Sequence, residues 1–354
     1  MINPRKSHVA IFHGAGQAFE LKQLEVPQAG PGEAIVRVEL STICGSDLHT
    51  VSGRRSEAVP CILGHEAIGA VSEVGSPPPY AVNDQPLEVG DRITWSACIS
   101  CGDCDRCRSG LTQKCRTVSK YGHNIATGSH ALSGGLSELL LLRRGSCIVK
   151  LDRDLPAQVA CPANCATATV MAAFRPAGEL IGKRVLILGA GMLGLTAAAV
   201  AASRGAELTL LSDTDGNRLK WAQAFGAEPL PGKISTTNLP ERPDLIIECS
   251  GAEQAVQFAL TAGSVGTHVV LLGSVLPSQD VRLDPEFVVR NLLTIRGVHN
   301  YASEDLSDAV DFLTSHCDHY PFAKLVESTF PLSDIHKAFR YAQEHRPIRV
   351  AIKP

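Results

Sequence analysis

The chain has 354 residues, with 33 Lys and Arg against 36 Asp and Glu and a formal net charge of −3. That length allows roughly two domains and a sizeable core, and the near-neutral balance excludes the basic stripe expected of a nucleic-acid or membrane-surface binder. The opening MINPRKSHVAIF holds no apolar run long enough for a signal peptide, so a cytoplasmic location is expected, and the twelve cysteines cluster in a way that points to metal rather than disulfides.

Residues 1 to about 155 read as β-rich. Val36, Val38 and Leu40 alternate with Arg37, Glu39 and Ser41, the period-2 pattern of a half-buried strand. Further apolar runs at Ala67 to Val74 and Ile93 to Trp95 are separated by Pro77 to Pro79 and by Gly90-Asp91. The most specific local signal follows, CGDCDRCRSGLTQKC, in which Cys101, Cys104, Cys107 and Cys115 are separated by two, two and seven residues. Three thiolates on one tight loop and a fourth that closes it make a tetrahedral S4 shell with no position left for water, which is a structural zinc site. Cys98 also begins a CxxC pair, but the set starting at Cys101 uses the later cysteines without remainder. Arg106, Arg108, Lys114 and Arg116 lie nearby, yet Asp103 and Asp105 interrupt them and no recognition helix is visible, so a nucleic-acid zinc module is disfavoured. Cys61, Cys147, Cys249 and Cys317 read as small buried hydrophobes.

From about Cys161 to Val298, strand-like and helix-like runs alternate. The strand candidates are Val185 to Leu188, Leu208 to Leu211, Leu245 to Glu248, Val269 to Leu272 and Leu293 to Ile295, with helical stretches such as Arg218 to Phe225 and Glu253 to Ala262 between them. The first strand runs into Gly189, Gly191 and Gly194 in the order GxGxxG. These suit a tight turn, close approach of the backbone to a pyrophosphate, and close packing of the following helix, whose free N–H groups meet the phosphates. Asp213 ends the second strand near the distance at which an acid holds the adenosine ribose, which favours NAD, whereas Arg218 is a weak pointer to NADP. The plainer reading is that Asp213 caps the next helix. No charge occurs from Val185 to Ser203, but three glycines in phosphate-loop order make a poor membrane segment. The alternation implies an α/β architecture with a doubly wound parallel sheet and ligand at the strands' carboxyl ends. A last helix is expected over Ser333 to Glu344.

Taken together, ICGSDLH at Ile43 to His49, GHE at Gly64 to Glu66, the four-cysteine loop, NCATAT at Asn164 to Thr169 and the glycine loop resemble the zinc-dependent medium-chain alcohol dehydrogenases, in family order along essentially the whole chain. The resemblance implies a β-rich GroES-like catalytic domain from residues 1–160 and 299–354, with a Rossmann NAD-binding domain, 161–298, inserted. It places the catalytic zinc ligands on Cys44, His65 and Cys165, with Glu66 close to the metal as an alternate ligand. Two thiolates and a neutral imidazole would leave a fourth position for water or an alcohol, the open shell that a Lewis-acid site needs. Two zinc ions per chain are then expected. Cys165 carries an ambiguity, because Cys161 lies one helical turn before it and some family branches place an acid here. Ser46 and His49 match the family's proton relay, and Asp47 could orient the imidazole of His65. Thr169, Ser250, Gly273 and Arg349 match cofactor contacts, Arg349 reaching the pyrophosphate. Gly45 stands where several members have a basic residue, which resembles the polyol and threonine branches.

The substrate is less legible. Arg54 and Arg55 follow His49, and Lys120, Tyr121 and His123 follow the cysteine loop, near where the family lines its pocket. Adjacent guanidinium groups suit an anionic substrate such as a carboxylate or phosphonate, and the chain also loosely resembles a subgroup associated with phosphonate catabolism. The plainer reading of Arg54 and Arg55 is a solvated loop. The expected activity is oxidation of a small alcohol with hydride transfer to NAD+. The alternatives are a polyol- or threonine-type dehydrogenase, a zinc-free reductase, which would lack the cysteine loop, and a non-catalytic zinc-binding protein. A homodimer or homotetramer is expected, as in relatives.

Overall fold

The structure, a computed structural model, describes residues 5–128, 131–232, 234–235, 239–277 and 279–354, so the first four residues of the N-terminal stretch lie outside it. The chain divides into two compact units. The first takes the chain up to Cys165 and regains Ala302–Asp318 and Phe322–Pro354; the second is Ala166–Tyr301 with His319–Pro321.

The first unit is built on β-sheet. Strands β1 (Lys6–Phe12), β2 (Glu20–Glu25), β3 (Ala34–Ile43), β4 (Cys61–Ile62), β5 (Glu66–Val74), β6 (Arg92–Ile99), β7 (Ser119–Lys120), β8 (Leu139–Leu142) and β9 (Ser146–Lys150) come from the N-terminal part. One sheet has the order β2-β1-β4. In the other, β3, β5, β6 and β7 are neighbours, with β8 paired to β3 and β9 to β6. β3 carries the expected alternation only from Val36 to Leu40, with Arg37 exposed and Glu39 half-buried; from Leu40 to Ile43 it is buried throughout, because strands flank it on both sides. Two apolar clusters fill this unit, one around Phe12, Ile62, Leu136 and Phe339, the other around Ile93, Trp95, Tyr121 and Leu140.

The second unit is a six-stranded sheet, parallel throughout: β10 (Arg184–Leu188), β11 (Leu208–Ser212), β12 (Glu228–Leu230), β13 (Leu245–Glu248), β14 (His268–Leu271) and β15 (Thr294–Gly297), in the order β12-β11-β10-β13-β14-β15. This is the doubly wound order, and its switch point lies between β10 and β13. The core residues of β10, Val185 to Leu188, are all buried, as a strand covered on both faces requires. The helix Met192–Ser203 is buried nearly all round, which explains its lack of charge; none of the described helices is long and apolar enough to cross a membrane. The helix expected over Arg218 to Phe225 is broken into Gly216–Leu219 and a 3-10 turn, Gln223–Phe225. β12 was not expected, and its Pro229 fits only because the strand is the sheet's edge.

The chain then returns to the first unit through β16 (Val326–Pro331) and β17 (Arg349–Lys353), and β17 pairs antiparallel with β3. Ile335–His345 supplies the last helix.

Gly194 has no room for a side chain, because a Cβ there would overlap the carbonyl oxygen of Gly189. Gly194→Ala should therefore destabilise the second unit by about 2–4 kcal/mol and weaken NADH binding. Denaturant unfolding together with a fluorescence titration of NADH measures both effects, and unchanged values would show that the loop can shift.

Candidate active site and metal centres

β3 ends at Ile43, and Cys44 stands at the corner before the helix Gly45–Val51. The Asp47 carboxylate turns back to accept the Cys44 backbone N–H at 2.9 Å, which fixes that corner. His65 is set between Gly64 and β5, and its carbonyl accepts the side-chain amide of the fully buried Asn164 at 2.9 Å, which also donates to the Trp95 carbonyl at 2.7 Å. Asn164 thereby brings the turn that carries Cys165 against the strand start that carries His65. The ligand atoms of Cys44, His65 and Cys165 all lie within 4.8 Å of one another.

Protonation in this cluster is shared. Cys165 hydrogen-bonds Cys44, which pulls the Cys44 thiol well below its usual range, helped by the positive charges of Arg349 and His65, and pushes Cys165 well above it. Burial acts to lower the His65 pKa, but the charge of Asp47 and the Cys44 thiolate outweigh it and raise it well above the ordinary value. The His65 Nδ1 to Asp47 Oδ1 contact is 3.4 Å and bent away from hydrogen-bond geometry, leaving both buried atoms without a well-aligned partner. A thiolate, a thiol and a protonated imidazole, whose protons a dication would displace, backed by such a carboxylate, are a donor set that fits zinc.

Ser46 Oγ lies 3.3 Å from His65 Nε2, and His49 follows three residues on, along the same helix face. Burial and the neighbouring Arg54 lower the His49 pKa. Glu66, expected close to the metal as an alternate ligand, has both its carboxylate oxygens engaged by side chains of the sheet. It is fully buried, accepts Thr42 Oγ1 at 2.7 Å, and forms a bidentate pair with Arg349, Nε to Oε2 and Nη2 to Oε1, both at 2.9 Å. Arg349 was expected at a pyrophosphate. It is 9% exposed, its remaining Nη1 donates to the Ile348 carbonyl at 2.9 Å, and Nη2 lies 3.8 Å from the Cys44 sulfur. A buried carboxylate demands such a counterion. Cys161 is buried against Thr42 and the carbonyl of Glu66, so burial raises its thiol pKa and leaves Cys165 as the sulfur in the cluster.

Arg54 is exposed, whereas Arg55 is held by Glu57, Nε to Oε1 at 2.7 Å. The same Oε1 lies 3.1 Å from His123 Nδ1. Glu57 drew no attention in the sequence, where nothing local marks it. The His123 ring packs on His65 with centroids 5.1 Å apart, and burial lowers its pKa.

At the cysteine loop, the sulfurs of Cys101 and Cys107 are 4.0 Å apart, those of Cys104 and Cys107 3.5 Å, Cys104 and Cys115 4.0 Å, and Cys101 and Cys115 3.5 Å. A tetrahedron with metal–sulfur bonds of about 2.3 Å sets its sulfurs about 3.8 Å apart, so the four are spaced to hold zinc. The Cys101 backbone N–H on the Cys115 sulfur helps bring that thiol down to about 6. Arg116 is engaged by Asp105 at 2.6 and 2.8 Å and Arg106 by the Lys114 carbonyl at 3.0 Å, so this basic group braces the loop. Cys98 sits apart, in β6 opposite Lys120. Of the cysteines read as buried, Cys61 is, while Cys147, Cys249 and Cys317 are half-buried.

In the second unit the glycine turn after β10 and the loop after β13 touch: a Cβ at Gly189 would lie 3.0 Å from that of Ser250. Glu248 shapes the second loop by accepting Ser250 N at 2.7 Å, Ser250 Oγ at 2.6 Å and Gly251 N at 2.8 Å, and Gly273 packs directly on Gly251. Asp213 accepts Ala190 N at 2.6 Å and Asp215 N at 2.8 Å, so it stands against the glycine turn, where an acid for the ribose belongs. Arg218 Nη1 approaches to 3.9 Å of a Cβ built on Gly191. Thr169 is half-buried on the helix Ala166–Phe174. The glycine turn, the loops at Ser250 and Gly273, and Asp213 come together at the sheet's switch point in a cradle that fits a dinucleotide.

Two families match the chain: residues 30–153 fit "Alcohol dehydrogenase GroES-like domain" and residues 193–315 fit "Zinc-binding dehydrogenase". The chain is 30% identical over 300 residues to an L-threonine 3-dehydrogenase of Deinococcus radiodurans, covering 80% of each protein, and 28% identical over 335 residues to one of Coxiella burnetii, covering 90% of this chain and 91% of that one. Among solved structures it resembles an alcohol dehydrogenase of Thermotoga maritima, with TM-score 0.91 and 26% identity over 99% of this chain and 100% of that one. It also resembles one from Thermus, with TM-score 0.86 and 25% identity over 98% and 99%. The chain belongs to the zinc-dependent, NAD-linked alcohol dehydrogenases of the medium-chain dehydrogenase/reductase family.

Proposed function

We propose that Cys44, His65 and Cys165 hold the zinc at which a small primary or secondary alcohol is oxidised, and that the four-cysteine loop holds a second, structural zinc. The observation that carries this is the three-donor cluster with Ser46 Oγ at 3.3 Å from His65 Nε2. When bound, zinc supplies Lewis acidity to the substrate oxygen and the nicotinamide accepts hydride. Ser46 takes the substrate's hydroxyl proton and His49, kept neutral by burial and Arg54, receives it and passes it to solvent. Asp47 orients His65. Thr169, the loops at Gly189, Ser250 and Gly273, and Asp213 with Arg218 seat the dinucleotide, and Asp213 favours NAD over NADP.

An anionic substrate loses support because Glu57 neutralises Arg55, leaving only the exposed Arg54. The relatives named L-threonine 3-dehydrogenase support a substrate of the threonine or polyol kind as the second reading. The buried Glu66–Arg349 pair has a supporting role: it sets a cation beside the Cys44 thiolate without spending a zinc ligand. For assembly, all four residues of β15 are exposed and among the described residues nothing pairs its outer edge, while Ile295, Val289 and Leu292 are 36%, 72% and 70% exposed nearby. Such an apolar edge suits pairing with a second copy.

Initial rates of NADH formation on a panel of small alcohols test the activity: Ser46→Ala should lower kcat about 100-fold, and a zinc-loaded enzyme silent on every alcohol would remove the reading. Arg349→Met should cost about 3–5 kcal/mol in denaturant unfolding by stranding a buried charge, and Glu66→Gln in the same chain should restore most of it; equal loss in both would refute the pairing argument. Ile295→Lys should shift the particle to a smaller mass in light scattering, and a monomeric parent would overturn the assembly proposal.

A further inference from the structure

Glu248 closes β13 and is fully buried. The register sets it between Leu188 of β10 and Leu271 of β14, and its carbonyl accepts Leu272 N at 2.8 Å and Gly273 N at 3.0 Å. Leu245, Ile246 and Ile247 before it are buried and apolar, as a strand covered on both faces requires. A carboxylate in that row is costly, because a charge taken out of water needs compensation. Its hydrogen bonds are lopsided. Oε1 takes all three loop donors, Ser250 N, Ser250 Oγ and Gly251 N, while Oε2 is buried with no hydrogen-bond partner. Among the described residues no Lys, Arg or His pairs with it. Asp213, at the end of β11, differs in that each of its oxygens accepts a backbone N–H.

Holding the loop does not need a charge. A glutamine would offer the same three donors a carbonyl oxygen without setting an ion at the end of an apolar strand. The charge is also felt by its neighbour: after burial, it is the Glu248 carboxylate that pushes the Cys249 thiol well above its usual range. In a doubly wound sheet the dinucleotide lies across the switch point with one mononucleotide over each half. Asp213 assigns the adenosine to the half built on β10, β11 and β12, which leaves the nicotinamide for the half that begins with β13. Glu248 ends the first strand of that half, and the nicotinamide ring is the part of the cofactor whose charge changes, positive in NAD+ and neutral in NADH.

We propose that Glu248 is a specificity-determining residue for the state of the cofactor, its negative charge stabilising bound NAD+ relative to bound NADH. The effect acts through charge across a poorly polarisable site rather than through contact, so it requires no hydrogen bond from Oε2. The pyrophosphate is common to both cofactor states, so its repulsion by Glu248 cancels in the comparison. The inference rests on the reading that the second unit seats a dinucleotide with Asp213 at the adenosine ribose.

The test measures dissociation constants on the zinc-loaded chain, by fluorescence titration for NADH and by its displacement for NAD+ and for ADP-ribose. Glu248→Gln should raise the ratio of the NAD+ constant to the NADH constant about 3–30-fold, and ADP-ribose, which lacks the ring, should shift by the same factor as NADH. Ser250→Ala removes one loop donor and keeps the charge, so it should change both constants alike and hold the ratio within about 2-fold. A purely structural role would do the same in Glu248→Gln, so an unchanged or lowered ratio there would overturn the inference while leaving the dehydrogenase reading in place. If Glu248→Gln does not fold, the parent chain carries the test. NAD+ should then bind about 3–30-fold more tightly than its benzamide isostere, whose planar ring has the same shape without the charge, and equal or weaker binding of NAD+ would overturn the inference. A parent chain that binds none of these ligands would overturn the cofactor cradle as well.

Discussion

A carboxylate with no access to water must have a cation, and in this protein that requirement joins three strands at the metal-binding corner. Glu66 begins β5, Arg349 begins β17, and β3 lies between them with Thr42 opposite Glu66 and Ile43 opposite Val350. The bidentate pair therefore spans β3 just where it ends, and Thr42 adds a third contact from β3 itself. Cys44 is the residue that follows β3, and His65 the one that precedes β5. The positions of two of the three proposed ligands follow from one buried ion pair, and the third arrives through the Asn164 amide, which binds the His65 carbonyl. Burial of such a pair is weak evidence for net stability; its value here lies in geometry and in the charge it sets beside a thiolate.

The two zinc sites show contrasting construction. The cysteine loop collects its sulfurs from 15 consecutive positions, Cys101 to Cys115, and braces itself with Arg116 and Asp105, so it depends little on the rest of the sheet. The proposed reacting cluster draws on residues far apart in sequence, and every one of them is set at the end or start of a strand or helix. That difference suits their tasks: a closed shell needs only its own loop, whereas an open one must be presented to a substrate by a rigid frame.

The same contrast decided what could be read in the sequence. The four-cysteine spacing and the glycine turn are local, so their chemistry is visible in a few residues, and the parallel strands of the second unit announce themselves as uninterrupted apolar runs. Cys44, His65 and Cys165 were assigned through resemblance, because no local pattern ties positions so distant to one ion. The pairing of Arg349 with Glu66 was not legible, because the two lie 283 residues apart and meet only when the sheet is assembled. Glu57 and Asn164 were passed over because their roles exist only as contacts between segments. β12 was hidden by Pro229, which disqualifies a central strand but not an edge, and Arg218 to Phe225 kept a helical pattern although the chain breaks at Lys220.

The distance between Glu66 and Arg349 also has a consequence for synthesis. Every proposed ligand of both zinc sites lies within the first 165 residues, and a nascent chain could bring them out of the ribosome while β17 is still unmade. At that stage Glu66 would lack its counterion, and its buried place in β5 would be unfavourable unless it held a proton or faced water. The proposed reacting centre therefore takes its final charge balance only once the strand carrying Arg349 has been added to the edge of β3, so premature capture of a metal by a half-made chain meets a site whose electrostatics are not yet those of the folded protein.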